Sequence, residues 1–431
     1  MRVLEYDNLI GMEVFTTQSP GIGGRLKKAP KDFIVQEIGV DGSIAPLEAL
    51  DQEFSDQPGK FTMFFLVKRN LDSIQAIRRL SKTIGVSYKR FSYAGIKDRR
   101  AITSQRVTFR GSPHDLIGRE ISQLTILHPH RVPNPVVPGV LEGNQFIIMV
   151  REVTLDANEV KHRLNNVQQE IRDTGGILNF YGPQRFGIMR PNTHLVGKQI
   201  VLGNFEQAIQ ILLQDNDSVE KEKDSGLLND SVQGSFERAI RHYLNKHPGK
   251  FKESLGVLPK DLVRLYIHAY QSYLFNRAIS ERAQRGIILQ APVVGDYTMP
   301  ATGQIHDVRP VTKDNVKRVQ QEVQEGRLTP VIPIIGYDFE KVPLDGAIGD
   351  IYRRILKSEK ITPRHFRLNE LPIFSSRGTF RSMLVNPRGL KVTVEEEKQD
   401  TPVRVEFALP KGSYASVVLR ELMKPDSPMQ L

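Results

Sequence analysis

Tyr93-Ala94-Gly95-Ile96-Lys97-Asp98-Arg99-Arg100-Ala101-Ile102-Thr103-Ser104-Gln105 is the stretch from which the rest of the chain is best read. A strand-like run over 91–96 gives way to a glycine-containing turn that presents Asp98, with cations on both sides. Between Arg78 and Arg110 stand ten basic residues (Arg78, Arg79, Lys82, Lys89, Arg90, Lys97, Arg99, Arg100, Arg106 and Arg110) and a single acid, Asp98. A surface that needed only solubility would mix both signs, so the window reads as a phosphate-facing patch with one carboxylate set into it. Neighbouring cations lower a carboxyl pKa by ~1–3 units from ~3.9. Asp98 is therefore expected to be ionised and available for chemistry on a sugar carbon. The residues alone leave a second reading open, an Asp that pairs with a loop arginine.

Outward from this stretch, the apolar run 61–67 predicts a strand buried on both faces. Asn70 or Asp72 can cap a helix carrying Ile74, Ile77, Leu80 and Ile84, closed by Gly85. Residues 106–109, 124–127 and 144–150 continue the β pattern across a proline-rich connection. No regular βαβ period appears, so the expected class is α+β with a mixed sheet rather than a doubly wound one. A helix is expected from Asp156 to about Thr174, stopped by Gly175-Gly176, and then an aromatic, glycine- and arginine-rich loop over 179–190. Residues 214–235 read as a solvated polar excursion. The longest helical segment is 258–285, with Leu262, Leu265, Ala269, Tyr273 and Ile279 on its apolar side. Beyond Gln290 the chain turns β- and turn-rich. Residues 391–394 and 403–409 alternate like strands, and Ser413 can cap a closing helix through Met423.

The chain has 431 residues, enough for two or three domains, with 39% hydrophobic and 25% charged residues. Sixty Lys and Arg against 49 acids give a net charge of +11, which suggests an anionic partner such as nucleic acid. The absence of cysteine excludes disulfides, thiolate ligands and thiol nucleophiles. No apolar run approaches the ~20 residues of a membrane span, and no secretory pattern stands at the N-terminus, so a cytoplasmic protein is expected. There is no Walker A pattern. Gly21-Ile22-Gly23-Gly24-Arg25-Leu26 fails the dinucleotide fingerprint at its last position and reads as a turn. His128-Pro129-His130 reads as a loop pair rather than metal ligands. No nucleotide, flavin or metal cofactor is expected.

The segment Gly95-Ile96-Lys97-Asp98 resembles the catalytic motif of the TruD family of transfer RNA pseudouridine synthases. Further blocks occur in the family's order: Lys27-Lys28-Ala29-Pro30-Lys31-Asp32-Phe33-Ile34-Val35-Gln36-Glu37, Gly143-Asn144-Gln145-Phe146, Asn179-Phe180-Tyr181-Gly182-Pro183-Gln184-Arg185-Phe186-Gly187, Tyr270-Gln271-Ser272-Tyr273-Leu274-Phe275-Asn276, and the stretch from Leu409 to Glu421. They span nearly the whole chain, and its length looks like that of the archaeal-type members.

The resemblance implies a pseudouridine synthase domain with a mainly antiparallel sheet (residues 1–175 and 376–431), interrupted by a family-specific α+β insertion (176–375). It implies a cofactor-free isomerase acting on tRNA, with U13 of the D arm as the target; a monomer is expected, though neither the residues nor the resemblance specifies the oligomeric state. Asp98 would be the catalytic carboxylate and Phe146 the aromatic partner of the base. Asn144, on the same strand face as Phe146, could hold Asp98 by hydrogen bonding. Lys27 would be the cation beside Asp98, and Phe33 and Tyr414 would line the pocket. Arg78, Arg79, Lys89, Arg90, Lys97, Arg99, Arg100, Arg185 and Arg190 are the candidates for RNA phosphates. Lys31 departs from the family, which commonly carries an acid there; if that acid orients Lys27, Glu37 could replace it. The alternative of another class is a non-catalytic RNA-binding protein using the 78–110 patch.

Overall fold

The hydrophobic run that begins at Phe61 forms a strand with both faces buried, and the sheet that carries Asp98 grows from it. A computed structural model describes residues 3–52, 54–214, 230–287, 289–301, 307–342, 344–395 and 401–431. Six strands precede residue 151: β1 (Phe33–Ile38), β2 (Phe61–Arg69), β3 (Phe91–Tyr93), β4 (Ile102–Phe109), β5 (Leu124–Val132) and β6 (Gly143–Val150). With the C-terminal strands Arg388–Val394 and Val403–Pro410 they make one eight-stranded sheet. Its order is Arg388–Val394, Val403–Pro410, β6, β1, β4, β2, β5, with β3 also paired to β4. Every pairing is antiparallel except β1 with β4. The class is the expected mixed α+β, mainly antiparallel.

Strand alternation puts Lys68, Leu66 and Phe64 of β2 on the same sheet face as Thr103, Gln105 and Val107 of β4, through the pairs Lys68–Thr103, Leu66–Gln105 and Phe64–Val107. The pairs Val35–Thr103, Glu37–Asn144, Val35–Phe146 and Phe146–Phe407 extend that face across β1, β6 and the C-terminal strand. Helix Ser73–Thr83 covers one end of it, packing Ala76, Ile77 and Leu80 against Phe64, Leu66, Val107 and Phe109. Asp72 is the N-cap, its carboxylate accepting from the Ile74 and Gln75 amides at 2.7 and 3.0 Å. Of the four apolar positions expected on the core side, Ile74 is instead exposed, and Ala76 takes its place. The helix ends at Thr83, ahead of Gly85 at φ +72°. On the opposite sheet face, Phe65, Val67 and Leu127 pack with Ala45.

The chain forms two compact units. One holds residues 19–168, 386–426 and 430–431, including this sheet; the other holds 1–18, 169–385 and 427–429. Residues 1–18, grouped with the sheet in the sequence reading, are tied into the second unit by buried bonds from Asn276 to the Ile10 carbonyl (3.0 Å) and from Ser280 to the Gly11 carbonyl (2.8 Å). That unit is built on helix Lys260–Gln284, packed by helices Thr193–Leu202 and Gly346–Glu359. Its buried side carries Val263, Ile267, Tyr270, Leu274 and Phe275 beside the expected Ala269 and Ile279, whereas Leu265 is exposed. A four-stranded sheet is ordered Thr379–Ser382, Leu328–Ile334, Tyr297–Pro300, Arg309–Pro310. Helix Gly346–Glu359 was not expected in a region read as β- and turn-rich. Of the polar excursion, residues 215–229 lie outside the described residues, and helix Asp230–Lys246 follows.

Corrections to the local readings have simple causes. His128 and His130 lie in β5 rather than in a loop, both against Phe54 at 4.7 and 5.1 Å. The closing helix Ala415–Met423 has Tyr414 rather than Ser413 at its N-cap. Gly21 is a close-approach site rather than a turn residue: residues 21–24 form no turn, the Ile22 and Gly23 amides donate to the Leu422 and Met423 carbonyls at 3.1 and 2.8 Å, and a Cβ on Gly21 would stand 2.2 Å from the Met423 carbonyl oxygen. No helix among the described residues is long and apolar enough to cross a membrane.

Asp72→Ala should cost about 1 kcal/mol of stability, within the 0.5–2 kcal/mol typical of lost N-caps. Urea denaturation followed by far-UV circular dichroism measures it. An unchanged midpoint would show that the cap is replaced by water.

Candidate active site

Two features of the chain before β1 set the position of Lys27. Arg25 bridges Arg151 at the end of β6, and the buried Asp32 carboxylate accepts from the Arg151 guanidinium at 3.2 Å and from the Ala29 amide at 2.8 Å. Between these anchors Lys27 adopts φ +56°, a left-handed conformation uncommon for a lysine. Its ammonium lies 4.3 Å from the centroid of the Phe33 ring and 3.8 Å from Asp98 Oδ1. The Lys27 side chain is 11% exposed and that of Asp98 40%. The carboxylate is thus paired on one side and open to solvent on the other.

Asp98 stands on a loop tied down along its length. The Ala94 carbonyl accepts from the Gly139 amide at 2.8 Å, and the Gly95 carbonyl from Gln105 Nε2 at 3.2 Å. Ser73 Oγ accepts from the Lys97 amide at 3.0 Å and donates to the Lys97 carbonyl at 3.4 Å. The Asp98 carbonyl accepts from Lys68 Nζ. The Lys97 side chain turns into the protein, 3.3 Å from Glu37 Oε2, and donates to Asn144 Oδ1. Glu37 and Asn144 are directly opposed on β1 and β6, so one cross-strand pair receives the ammonium.

This geometry corrects three expectations. Lys97 does not face outward with the phosphate candidates: it is 7% exposed and internally paired. Asn144 accepts from Lys97 instead of holding the Asp98 carboxylate. Glu37 does not replace the missing acid at Lys31, because its carboxylate is taken by Lys97 and by the Arg106 amide at 3.2 Å. Lys31 itself is exposed.

The aromatic wall is more enclosed than expected. Phe146 and Phe33 are both buried and meet edge-on at 6.4 Å. Phe146 also stacks on Phe407 at 5.3 Å, which occupies one of its ring faces. Tyr414 is half-buried at the N-cap that follows the strand pairing with Asn144. Arg78, Arg79, Lys89, Arg90 and Arg99 are exposed and Arg100 half-buried. Arg79 bonds Gln123 at 2.9 Å, and Arg90 donates to the Arg110 carbonyl. Arg185 and Arg190 belong to the other unit, where Arg185 lies over Tyr181 and Arg190 donates to the Gln214 carbonyl.

Lys68 escaped the sequence reading, which ended its strand at Val67. It is 1% exposed. Burial pushes its pKa down to about 8, an effect that the nearby Asp98 and Asp72 charges oppose and the Lys97 charge reinforces. Burial likewise lowers the Lys97 pKa, against the pull of Glu37. The available signal was a single cation continuing an otherwise apolar strand.

Because the folded pKa of Lys68 lies below its ordinary value of 10.5, the unfolded chain holds more protons between about pH 8 and 10.5. The charged Lys68 therefore lowers stability at neutral pH, and the penalty lifts as pH rises through that window. Relative to Lys68→Met, the wild type should gain on the order of 3 kcal/mol across it, at 1.36 kcal/mol per pH unit. Urea unfolding at several pH values measures this, and a pH-independent difference would contradict it.

The family model for tRNA pseudouridine synthase D (TruD) matches residues 9–422. A Methanosarcina acetivorans protein named "Probable tRNA pseudouridine synthase D" is 32% identical, over 100% of this chain and 99% of its own. A Methanopyrus kandleri protein of the same name is 34% identical, over 85% of this chain and 86% of its own. A TruD crystal structure from Methanosarcina mazei matches with a TM-score of 0.81 at 32% identity, covering 100% of both chains. With matches of this extent in both sequence and fold, the chain belongs to the TruD family of tRNA pseudouridine synthases, isomerases that convert uridine to pseudouridine in tRNA.

Proposed function

We propose that Asp98 is the catalytic carboxylate and that the substrate is U13 in the D arm of tRNA, which makes the protein a cytoplasmic tRNA pseudouridine(13) synthase. The observation that carries this reading is the half-open Asp98 carboxylate beside Lys27, on a loop whose main chain is anchored from Ala94 to Asp98. Position 13 rests on the family resemblance.

The reaction breaks the bond from C1′ to N1, turns the uracil while it stays bound, and joins C5 to C1′; the C5 proton then leaves. It needs one oriented carboxylate at the ribose. Held loops favour such chemistry because the cost of ordering the reacting group is met on folding. Asp98 acts at the sugar either by attack on C1′ or by taking the C2′ proton, and a deuterium isotope effect at C2′ separates the two. Lys27 keeps a positive charge beside the carboxylate, and its stacking on Phe33 limits where the ammonium can go. Phe33 and Phe146 supply the apolar wall for the loose uracil; both rings are buried, and Phe407 already covers one face of Phe146. The uridine must leave its stack to reach Asp98, at a cost of a few kcal/mol.

With tRNA tritiated at uracil C5, Asp98→Asn should bind with wild-type affinity and release tritium at least about 100-fold more slowly. Normal release would remove Asp98 from the chemistry. Loss of modification at position 13 alone, mapped in tRNA from cells lacking the enzyme, tests the target. If Arg78, Arg79, Lys89, Arg90, Arg99 and Arg100 all meet phosphates, log affinity should fall with log salt at a slope of about −4 to −5. A slope shallower than about −2 would assign most of them to solvent.

A further inference from the structure

Residues 96, 97 and 98 alternate out, in and out: Ile96 is 66% exposed, Lys97 7% exposed, and Asp98 faces solvent. Single exposed aliphatic side chains are ordinary on protein surfaces. Ile96 is unusual in its company and its support. The loop is bonded on either side of it, at the Gly95 carbonyl and at the Lys97 amide, so its backbone is held where it stands. Segments tethered to the same loop expose further large aliphatics. Ile74, next to the Ser73 that binds Lys97, is 42% exposed; Val137 and Val140, flanking the Gly139 that binds Ala94, are 53% and 50% exposed. Arg99 and the half-buried Arg100 follow directly. An apolar tip beside a carboxylate, within a basic surface, suits a partner that offers phosphates outside and base faces inside.

We propose that Ile96 is the wedge that enters the tRNA stack as the target uridine leaves it. Aliphatic side chains that part base steps are a recurrent device of nucleic-acid-bending proteins. When a base is extruded, the bases around it are left with uncovered faces, and a branched aliphatic side chain can cover them. Because Ile96 and Asp98 share one outward side of a fixed loop, insertion of the first carries the second to the ribose of the departing nucleotide. Ile74, Val137 and Val140, exposed on segments bonded to the same loop, would meet the shallow groove rather than the stack. The assignment rests on the reading of Asp98 as the catalytic carboxylate.

The test uses the full-length protein and tRNA carrying 2-aminopurine beside the target uridine, which brightens when it unstacks. Ile96→Ala should melt at the wild-type temperature and bind tRNA within about 2-fold, since phosphate contacts dominate affinity. It should lose most of the fluorescence rise and isomerise intact tRNA about 10- to 100-fold more slowly in single turnover. On a tRNA with abasic sites flanking the target, where nothing must be unstacked, the defect should shrink to less than about 3-fold. Ile96→Leu should restore both signals on intact tRNA. A wild-type rate for Ile96→Ala on intact tRNA would overturn the proposal. So would an equal defect on the two substrates, which would make Ile96 a residue that merely positions Asp98. Asp98→Asn keeps the two claims separable: it should retain the fluorescence rise without tritium release. Tritium release by that variant would refute the catalytic assignment, and with it the placement of Ile96 beside the target nucleotide, whereas failure of the Ile96 variants alone would overturn the wedge and leave Asp98 in its role.

Discussion

The ammonium of Lys97, buried between Glu37 and Asn144, is the constraint on which the rest of the site depends. An internal ion pair of this kind adds little net stability, because each ion is taken out of water at a cost of several kcal/mol. Its effect is geometric. Glu37 and Asn144 face each other across β1 and β6, and a one-residue slip of either strand would turn its acceptor to the opposite face of the sheet. Strand register and loop position therefore determine each other. With Lys97 committed inward, its neighbours Ile96 and Asp98 are committed outward, and Lys27, seated over the Phe33 ring at the start of β1, meets the carboxylate.

A second buried cation lies beneath the same loop. Lys97 holds Glu37, whereas Lys68 is bound to a main-chain carbonyl, with the Asp98 and Asp72 charges nearby. Two ammonium groups in one desolvated region repel each other, which is why burial and Lys97 together bring Lys68 down toward neutrality. The basic window thus divides by environment rather than by residue type. Lys97 faces inward. Arg106 is bound to Ser43 and the Glu37 carboxylate and lies over the Phe65 ring. Exposed cations such as Arg99 remain for a polyanion. Charge counted along a sequence overstates the electrostatic footprint whenever some of the charges are part of the core.

Much of the architecture was legible because it rests on patterns that repeat locally. The alternation and apolar runs of β2, β4 and β6, the Asp72 cap and the long central helix all follow from side-chain periodicity and capping chemistry. Boundaries and faces were less legible. Leu265 and Ile74 fit helical spacing as well as their buried neighbours do, and only packing decides which stripe meets the core. Helix Gly346–Glu359 was hidden by the prolines at positions 343 and 363 that flank it and by Gly346 and Gly349 within its first turn. Of the site, the blocks around Lys27, Asp98 and Asn144 stood out as motifs, while Lys68, Ser73 and Phe407 carry no motif and matter only through what they touch.

By itself, the sequence determined the composition of the site and its family: an isolated acid among cations, and ordered blocks resembling one group of enzymes. Only the tertiary structure decided direction. Lysine at position 97 and arginine at position 99 carry the same charge and stand two residues apart, yet one is a buried strut and the other is open to solvent. The difference arises because Glu37 and Asn144, remote in sequence, converge beneath the first and not the second. Long-range convergence of this kind leaves no periodic trace along the chain, since it depends on how strands pair rather than on what each residue prefers.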